Sequence, residues 1–403
     1  MGYPGVDMKI KITRKRLYDL LVLVGTAAAA AALLRWPQEA VGAARDGLAL
    51  CFDVLMPSLF PYFVLSSLLV GTGVARELGS LAEPVMRRLF RVSGVSAPAL
   101  ILGFIGGYPV GAKTVIALHR NGELSRVETE RLLAFCNNSG PAFILGVAGA
   151  GVFSSSRIGL LLYLAHVLAS LIVGLLFRRW GGENAARERL RSRADTETRS
   201  FSVAFTGSVR SSFRSMIDLC GFVVFFTVLI RILLISGLIP AAADALGKIL
   251  SPLGCDAAWA ERLITGTIEL TSGVWSLREA GTAASSVAMA AFMLGWAGVS
   301  VHCQTLSYIS DSDLSAGTYV IGKLLHGVIS AGIIGLISRL RLLDVPAAAY
   351  LAEEVRSLAS LHFLTALTVS LCTAGGLFVS GSALVRYGKW RMAQRKRNGS
   401  PGA

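Results

Sequence analysis

Charge is scarce in this 403-residue chain: Asp, Glu, Lys and Arg make up 16% of it, against about a quarter in ordinary soluble domains. With 53% hydrophobic residues and a mean hydropathy of +0.61, that shortage excludes a soluble multidomain protein and leaves an integral membrane protein. Acids are scarcer than bases, 25 against 39, for a net charge of +14. The basic excess lies in MKIKITRKR, in the segment after Phe177 and in the tail RYGKWRMAQRKR, all flanking apolar runs. That distribution orients a membrane protein and gives no footprint for nucleic acid.

Cysteine pairs are also lacking. The six cysteines (Cys51, Cys136, Cys220, Cys255, Cys303, Cys372) are scattered without a CxxC, so neither a disulfide framework nor a metal cluster is expected. Five histidines show no HExxH or comparable spacing, and no metal is assigned. GVAGAGV, from Gly146 to Val152, has neither a preceding strand nor a P-loop Lys-Ser/Thr; it reads as close helix packing. No Ser-His-Asp or paired-carboxylate spacing is present, so nothing supports an enzyme or a cofactor.

Long apolar runs are abundant. They occur at Leu17–Leu34, Leu48–Val70, Ile158–Phe177, Phe213–Leu238, Ala316–Ser338 and Leu361–Val385. The first follows a basic stretch and is expected to be a retained helix, being longer than a signal-peptide core. Residues 178–214 carry nine arginines against four acids and read as a cytoplasmic linker.

The two sides of that linker repeat each other at an offset of about 160 residues. HVLASLIVGLLFRR from His166 answers HGVISAGIIGLISRL from His326, pairing Ser170 with Ser330. Upstream, LLVGTGV answers LLISGLI, GFIGGYPVGA answers GTIELTSGV, and FCNNSGPAFILG answers FMLGWAGVSVHC. With termini and linker all cytoplasmic, each copy crosses an odd number of times and the two are inverted. The expected chain is all-α, with about eight transmembrane helices and two re-entrant hairpins in an inverted repeat. Its parts are the N-terminus and first helix (1–44), a first repeat (45–177), the linker (178–212), a second repeat (213–340), and a loop, last helix and basic tail (341–403).

Four segments break their helical pattern in corresponding pairs: GFIGGYPVGAK, CNNSGP, GTIELTSG and GWAGVS. In hydrocarbon, non-helical backbone survives only where protein or a watery cavity surrounds it, and half-helix ends then offer bare N–H and C=O groups to ligands. The candidate substrate site therefore comprises Gly106, Gly107, Tyr108, Pro109, Gly111 and Lys113 of the first hairpin, with Asn137, Asn138 and Ser139 of the first helix break. The second copy contributes Glu269, Thr271 and Ser272, then Gly295, Trp296, Gly298 and Ser300. Lys113 has two open partners, an anionic substrate or Glu269. His302 and Gln304 follow the second break; His302 has two readings, a proton sensor and a packed, hydrogen-bonded residue, of which the second is favoured.

GFIGGYPVGAK, CNNSGP, GTIELTSG and GWAGVSVHCQ resemble the sporulation integral membrane protein YlbJ family, also called SpoVV, over about residues 50–340. The resemblance implies two Gate, or nucleoside-recognition-like, domains and a core similar to that of concentrative nucleoside transporters. It also implies transport of dipicolinic acid across the outer forespore membrane, a small planar dianion being the substrate. Sodium coupling, proton coupling and no coupling stay open, as does a homo-oligomer, for which trimeric nucleoside transporters are an analogy. A nucleoside or other small-anion carrier and a non-transporting sporulation scaffold are the alternatives.

Overall fold

A computed structural model gives the structure of residues 5–182, 201–280 and 284–339, and every regular element among them is helical. α1 (Gly5–Arg35) precedes α2 (Pro37–Leu50) and α3 (Met56–Gly71), which a π turn at Cys51–Leu55 joins into one helical stretch. Then come α4 (Val74–Phe90), α5 (Ala97–Gly106), α6 (Val110–Arg120), α7 (Arg126–Leu133), the π-wound α8 (Ala142–Val152) and α9 (Ser156–Phe177). After the linker follow α10 (Phe201–Ile235), α11 (Leu238–Leu250), α12 (Ala257–Ile268) and α13 (Leu270–Ser276). The last are α14 (Ala284–Trp296), α15 (Gly298–Ile309) and α16 (Ala316–Arg339).

One order of elements thus occurs twice: a long helix, an amphipathic helix, a helical hairpin, a broken helix and a long helix. The punctuation repeats with it. Gly73 (φ 74°) and Gly237 (φ 79°) take the left-handed backbone that glycine enters freely, turning the chain from α3 into α4 and from α10 into α11. Side-chain caps start the later helices: Ser125 and Glu128 form a capping box on α7, Ser155 caps α9 and Asp256 caps α12.

Among the described residues five helices are long and apolar enough to cross a membrane. They are Arg16–Arg35, Ser156–Phe177, Phe201–Ile235, Ala284–Ile309 and Ala316–Arg339. A sixth is counted if Gly79–Leu89 and Gly94–Gly106, which meet at 104°, form one span. This differs from the expected eight for identifiable reasons. The stretch α2–α3 carries Arg45, Asp46 and Asp53 in its first half, so its uniformly apolar part shrinks to Leu59–Gly71. The expected last helix, Leu361–Val385, and linker residues 183–200 lie outside the described residues.

Corresponding helices run antiparallel. Gly47 of α2 lies against Val224 of α10, while Ser67 of α3 meets Ser212 of α10 at 3.4 Å, so the two chains pass in opposite directions. α9 and α16 cross at the repeat-related histidines, whose rings His166 and His326 are 4.3 Å apart. Buried Arg131 of α7 ties the end of α9 to the same side of the molecule where Glu130 holds Ser315, at the start of α16. The core formed between them is closely packed, and small residues make that possible: Gly149 meets Gly159, and Gly295 meets Gly327. GVAGAGV therefore does serve helix packing through Gly149.

Candidate functional site

Each hairpin closes on glycine. Gly103 of α5 and Gly111 of α6 face each other across the first tip, and the Cys136 carbonyl enters between them where any Cβ would collide. In the second hairpin Gly266 of α12 and Gly273 of α13 are in the same contact. Each broken helix then seats on its own hairpin tip: Gly140 packs on Gly107 (φ 79°), and Gly298 (φ 79°) packs on Ile268–Leu270. A side chain at Gly103 or Gly111 would drive the break off the first hairpin, and one at Gly273 would part the arms of the second.

The tips and breaks surround a cavity of about 200 Å³. Of the residues expected from sequence, Gly106, Gly107, Tyr108, Ser139, Glu269, Thr271 and Ser300 line it, together with Gln304 and Pro141. Apolar side chains of α3 and α10, including Leu59 and Leu219, close its side. Glu269 is buried, and its carboxylate accepts from the backbone N–H groups of Thr271 (2.9 Å) and Ser272 (2.6 Å), capping α13. No cation lines this cavity among the described residues.

Other expected residues stand behind the cavity and hold its wall. Pro109 follows a cis Tyr108–Pro109 bond at the tip. Asn137 Nδ2 donates to Thr305 Oγ1 at 3.0 Å, and Asn138 Nδ2 to the Phe135 carbonyl at 2.9 Å. Trp296 does not present its ring to the cavity; its Nε1–H donates to the Thr267 carbonyl at 3.0 Å, pinning the second break to α12. His302 packs edge-on against Trp296 and meets the Tyr319 hydroxyl at 3.0 Å, the packed role read from sequence.

Lys113 is placed elsewhere and does not meet Glu269. It lines a second, larger cavity of about 1190 Å³ with Arg120, Arg210, Arg214, Asp218 and Asp311. Phe222, Phe225, Phe226 and Tyr308 supply aromatic surface there. Lys113 Nζ sits 4.5 Å from the centre of the Phe63 ring and has no hydrogen-bond partner. The two cavities lie on different sides of the same turns of α10: Leu219 and Val223 face the smaller, Asp218 and Phe222 the larger.

Sequence reasoning passes over Lys323. It is fully buried in α16 and touches Tyr108, Asn137 and His326. The available signal is a lysine inside a membrane-length apolar run, three residues before His326 and so on the same helix face. His166 is noted in sequence only as a repeat position, yet its Nε2 accepts from the Ser139 N–H at 3.0 Å and so holds the first break.

The chain is 33% identical over 322 residues to the Bacillus subtilis sporulation integral membrane protein YlbJ, covering 75% of this chain and 78% of that protein. It belongs to the sporulation integral membrane protein YlbJ family. A nucleoside recognition (Gate) family profile matches residues 52–156 of this YlbJ-family chain, from the π turn through α8. Among solved structures it is similar to a CNTnw variant in an outward-facing state, with 14% identity, TM-score 0.41, and coverage of 84% of this chain and 87% of that one. CNTnw in an inward-facing substrate-bound state gives 16% identity, TM-score 0.39, and coverage of 80% and 87%.

Proposed function

We propose that this YlbJ-family protein is an alternating-access carrier moving dipicolinic acid, a planar aromatic dicarboxylate, across the outer forespore membrane during sporulation. The larger cavity carries the reading. Lys113, Arg120, Arg210 and Arg214 outnumber Asp218 and Asp311 around it, and Lys113 has a free donor for a ligand. Guanidinium groups grip carboxylates, and Phe222, Phe225 and Tyr308 offer faces for an aromatic ring. In this reading the basic cavity collects the dianion on the cytoplasmic side, to which the charge distribution of the sequence assigns the linker and both termini. The smaller cavity, between tips and breaks, is the gate it passes when repeats 45–177 and 213–340 rock against each other.

Glu269 favours a second reading. A carboxylate lining the smaller cavity with no cation beside it suits a neutral ligand such as a nucleoside, and the matching Gate profile is described as nucleoside recognition. Equilibrium binding to the purified full-length protein separates the two. For the dianion, Lys113→Ala and Arg214→Ala each weaken dipicolinate by about tenfold, the worth of one charge-assisted hydrogen bond, and Glu269→Gln strengthens it. Uridine binding that Glu269→Gln abolishes, with dipicolinate unbound, selects the nucleoside carrier. Binding of neither selects the non-transporting scaffold.

A further inference from the structure

Lys323 is used by neither cavity. It is fully buried in the apolar span Ala316–Arg339, and no carboxylate among the described residues pairs with it. An uncompensated ammonium at such a place is costly, so its partners must account for it. Nζ has three: Tyr108 Oη at 3.0 Å, the Asn137 carbonyl at 2.9 Å and His326 Nδ1 at 3.2 Å. The Tyr108 ring centre is 4.8 Å away, a cation–π distance.

The hydrogens of those partners are committed elsewhere. Tyr108 donates its hydroxyl hydrogen to the Leu294 carbonyl at 2.5 Å, which leaves its oxygen lone pairs for Lys323. A carbonyl such as that of Asn137 only accepts. His326 Nε2 lies 2.9 Å from the His166 carbonyl, so that nitrogen carries the hydrogen and Nδ1 presents a lone pair. Three acceptors therefore converge on Nζ. An ammonium fills all three; a neutral amine has hydrogens for two. His166 is neutral as well, since its Nε2 accepts from Ser139 N–H and must be unprotonated. The other titratable groups facing Lys323 are Cys136 at the end of α7, His302 on α15 and Tyr319 on its own helix; α14 presents none.

The acceptors come from parts that alternating access would move: Tyr108 from the first hairpin tip and Asn137 from the first helix break. We propose that Lys323 Nζ is the proton-binding site of this carrier. It holds a proton while tip and break bring their acceptors to it, and gives the proton up when they withdraw the Tyr108 and Asn137 oxygens while the apolar surround of α16 still shields Nζ from water, so transport is coupled to protons and does not need sodium. The ammonium stands where a free cation would use the carbonyl that the helix break exposes.

This inference rests on the transport reading above, and its test keeps the two apart. Full-length protein in liposomes is given dipicolinate under a pH gradient in sodium-free buffer, or under a sodium gradient at equal pH. Wild type is expected to concentrate dipicolinate under the pH gradient alone. Lys323→Met still exchanges it downhill but loses concentrative uptake by at least about tenfold, within the usual range of coupling. Uptake driven by sodium alone, or undiminished pH-driven uptake by Lys323→Met, overturns the proposal. Hydrogen exchange without substrate supplies an independent arm: residues 106–111 and 135–140 should exchange faster in Lys323→Met, with 268–272 unchanged. Equal rates overturn the assignment of Lys323 as the tie between tip and break. If wild type moves no dipicolinate under either gradient, carrier and coupling fall together, while hydrogen exchange still decides whether Lys323 holds the two segments.

Discussion

Arg131 shows how a single side chain can close one end of a helical membrane protein. It is 3% exposed, and its guanidinium donates to the carbonyls of Trp180 (2.7 Å), Arg91 (3.0 Å) and Gly182 (2.9 Å). Those carbonyls lie at and beyond the ends of α4 and α9, where helices leave acceptors without intrahelical partners. Arg131→Ala should destabilise the protein by about 3 kcal/mol or more, since charge-assisted bonds are each worth about 1.5–3 kcal/mol. Arg131→Lys should recover only part, because an ammonium lacks the planar fork that reaches diverging acceptors. Thermal melting of both variants in detergent checks this, and equal melting of Arg131→Lys and wild type would show that charge alone suffices. The same distinction explains which site residues were legible in the sequence. Gly107, Ser139 and Glu269 announce themselves because they interrupt an apolar pattern. Lys323 lies in an unbroken helix, and its role depends on acceptors from segments far away in sequence, Tyr108 and Asn137. Lys113 was legible as an intramembrane cation, but its direction was not: in the first turn of α6 it faces α10, away from Glu269.

At the scale of elements, the hairpins and the broken helices work as mated pairs, and glycine sets how closely they mate. The Cys136 carbonyl occupies the place a Cβ would take on both Gly103 and Gly111, so the first break is keyed into the first hairpin by backbone. Gly111→Ala should therefore displace the break, at a cost of about 1–3 kcal/mol for overpacking, and weaken dipicolinate binding while the protein still reaches the membrane. Gly332→Ala on α16 is the control: nothing lies within 4 Å of its added methyl, it lines neither cavity, and alanine favours helix. Parallel melting and binding measurements on the two variants test the contrast; equal behaviour would mean that the keying does not hold the site. The pairing was legible because each break in one copy answers a break in the other. Less legible was the helix winding. Ala142–Val152 widens into a π-helix and Cys51–Leu55 into a π turn, features that hydrophobic periodicity over so few residues does not separate from an α-helix.

Over the whole molecule, inversion follows from contacts. The base of the first hairpin joins the turn between α15 and α16, through His119 Nε2 to Asp313 at 2.9 Å and Arg120 to the Tyr308 carbonyl at 3.0 Å. The second hairpin opens the other way, with Trp275 of α13 beside Gly151 at the end of α8. The two tips thus approach one cavity from opposite ends, as a substrate path with two gates requires. Asp313 reports on the first end. Its hydrogen bond from His119 holds the carboxyl below the usual range, so the stability this contact adds is present above the ordinary carboxyl range and lost as pH falls through the lowered value. Side-specific labelling tests the arrangement directly. With Cys255, Cys303 and Cys372 replaced by alanine, the remaining cysteines 51, 136 and 220 are buried. Asn121→Cys, in the exposed turn after α6, and Gly254→Cys, in the exposed turn after α11, then offer one thiol each. A membrane-impermeant maleimide added to sealed vesicles should reach only one of the two from a given side, and from the cytoplasmic side that one should be Asn121→Cys. Labelling of both from one side would place both hairpin bases on the same face and remove the two-gate path on which alternating access depends.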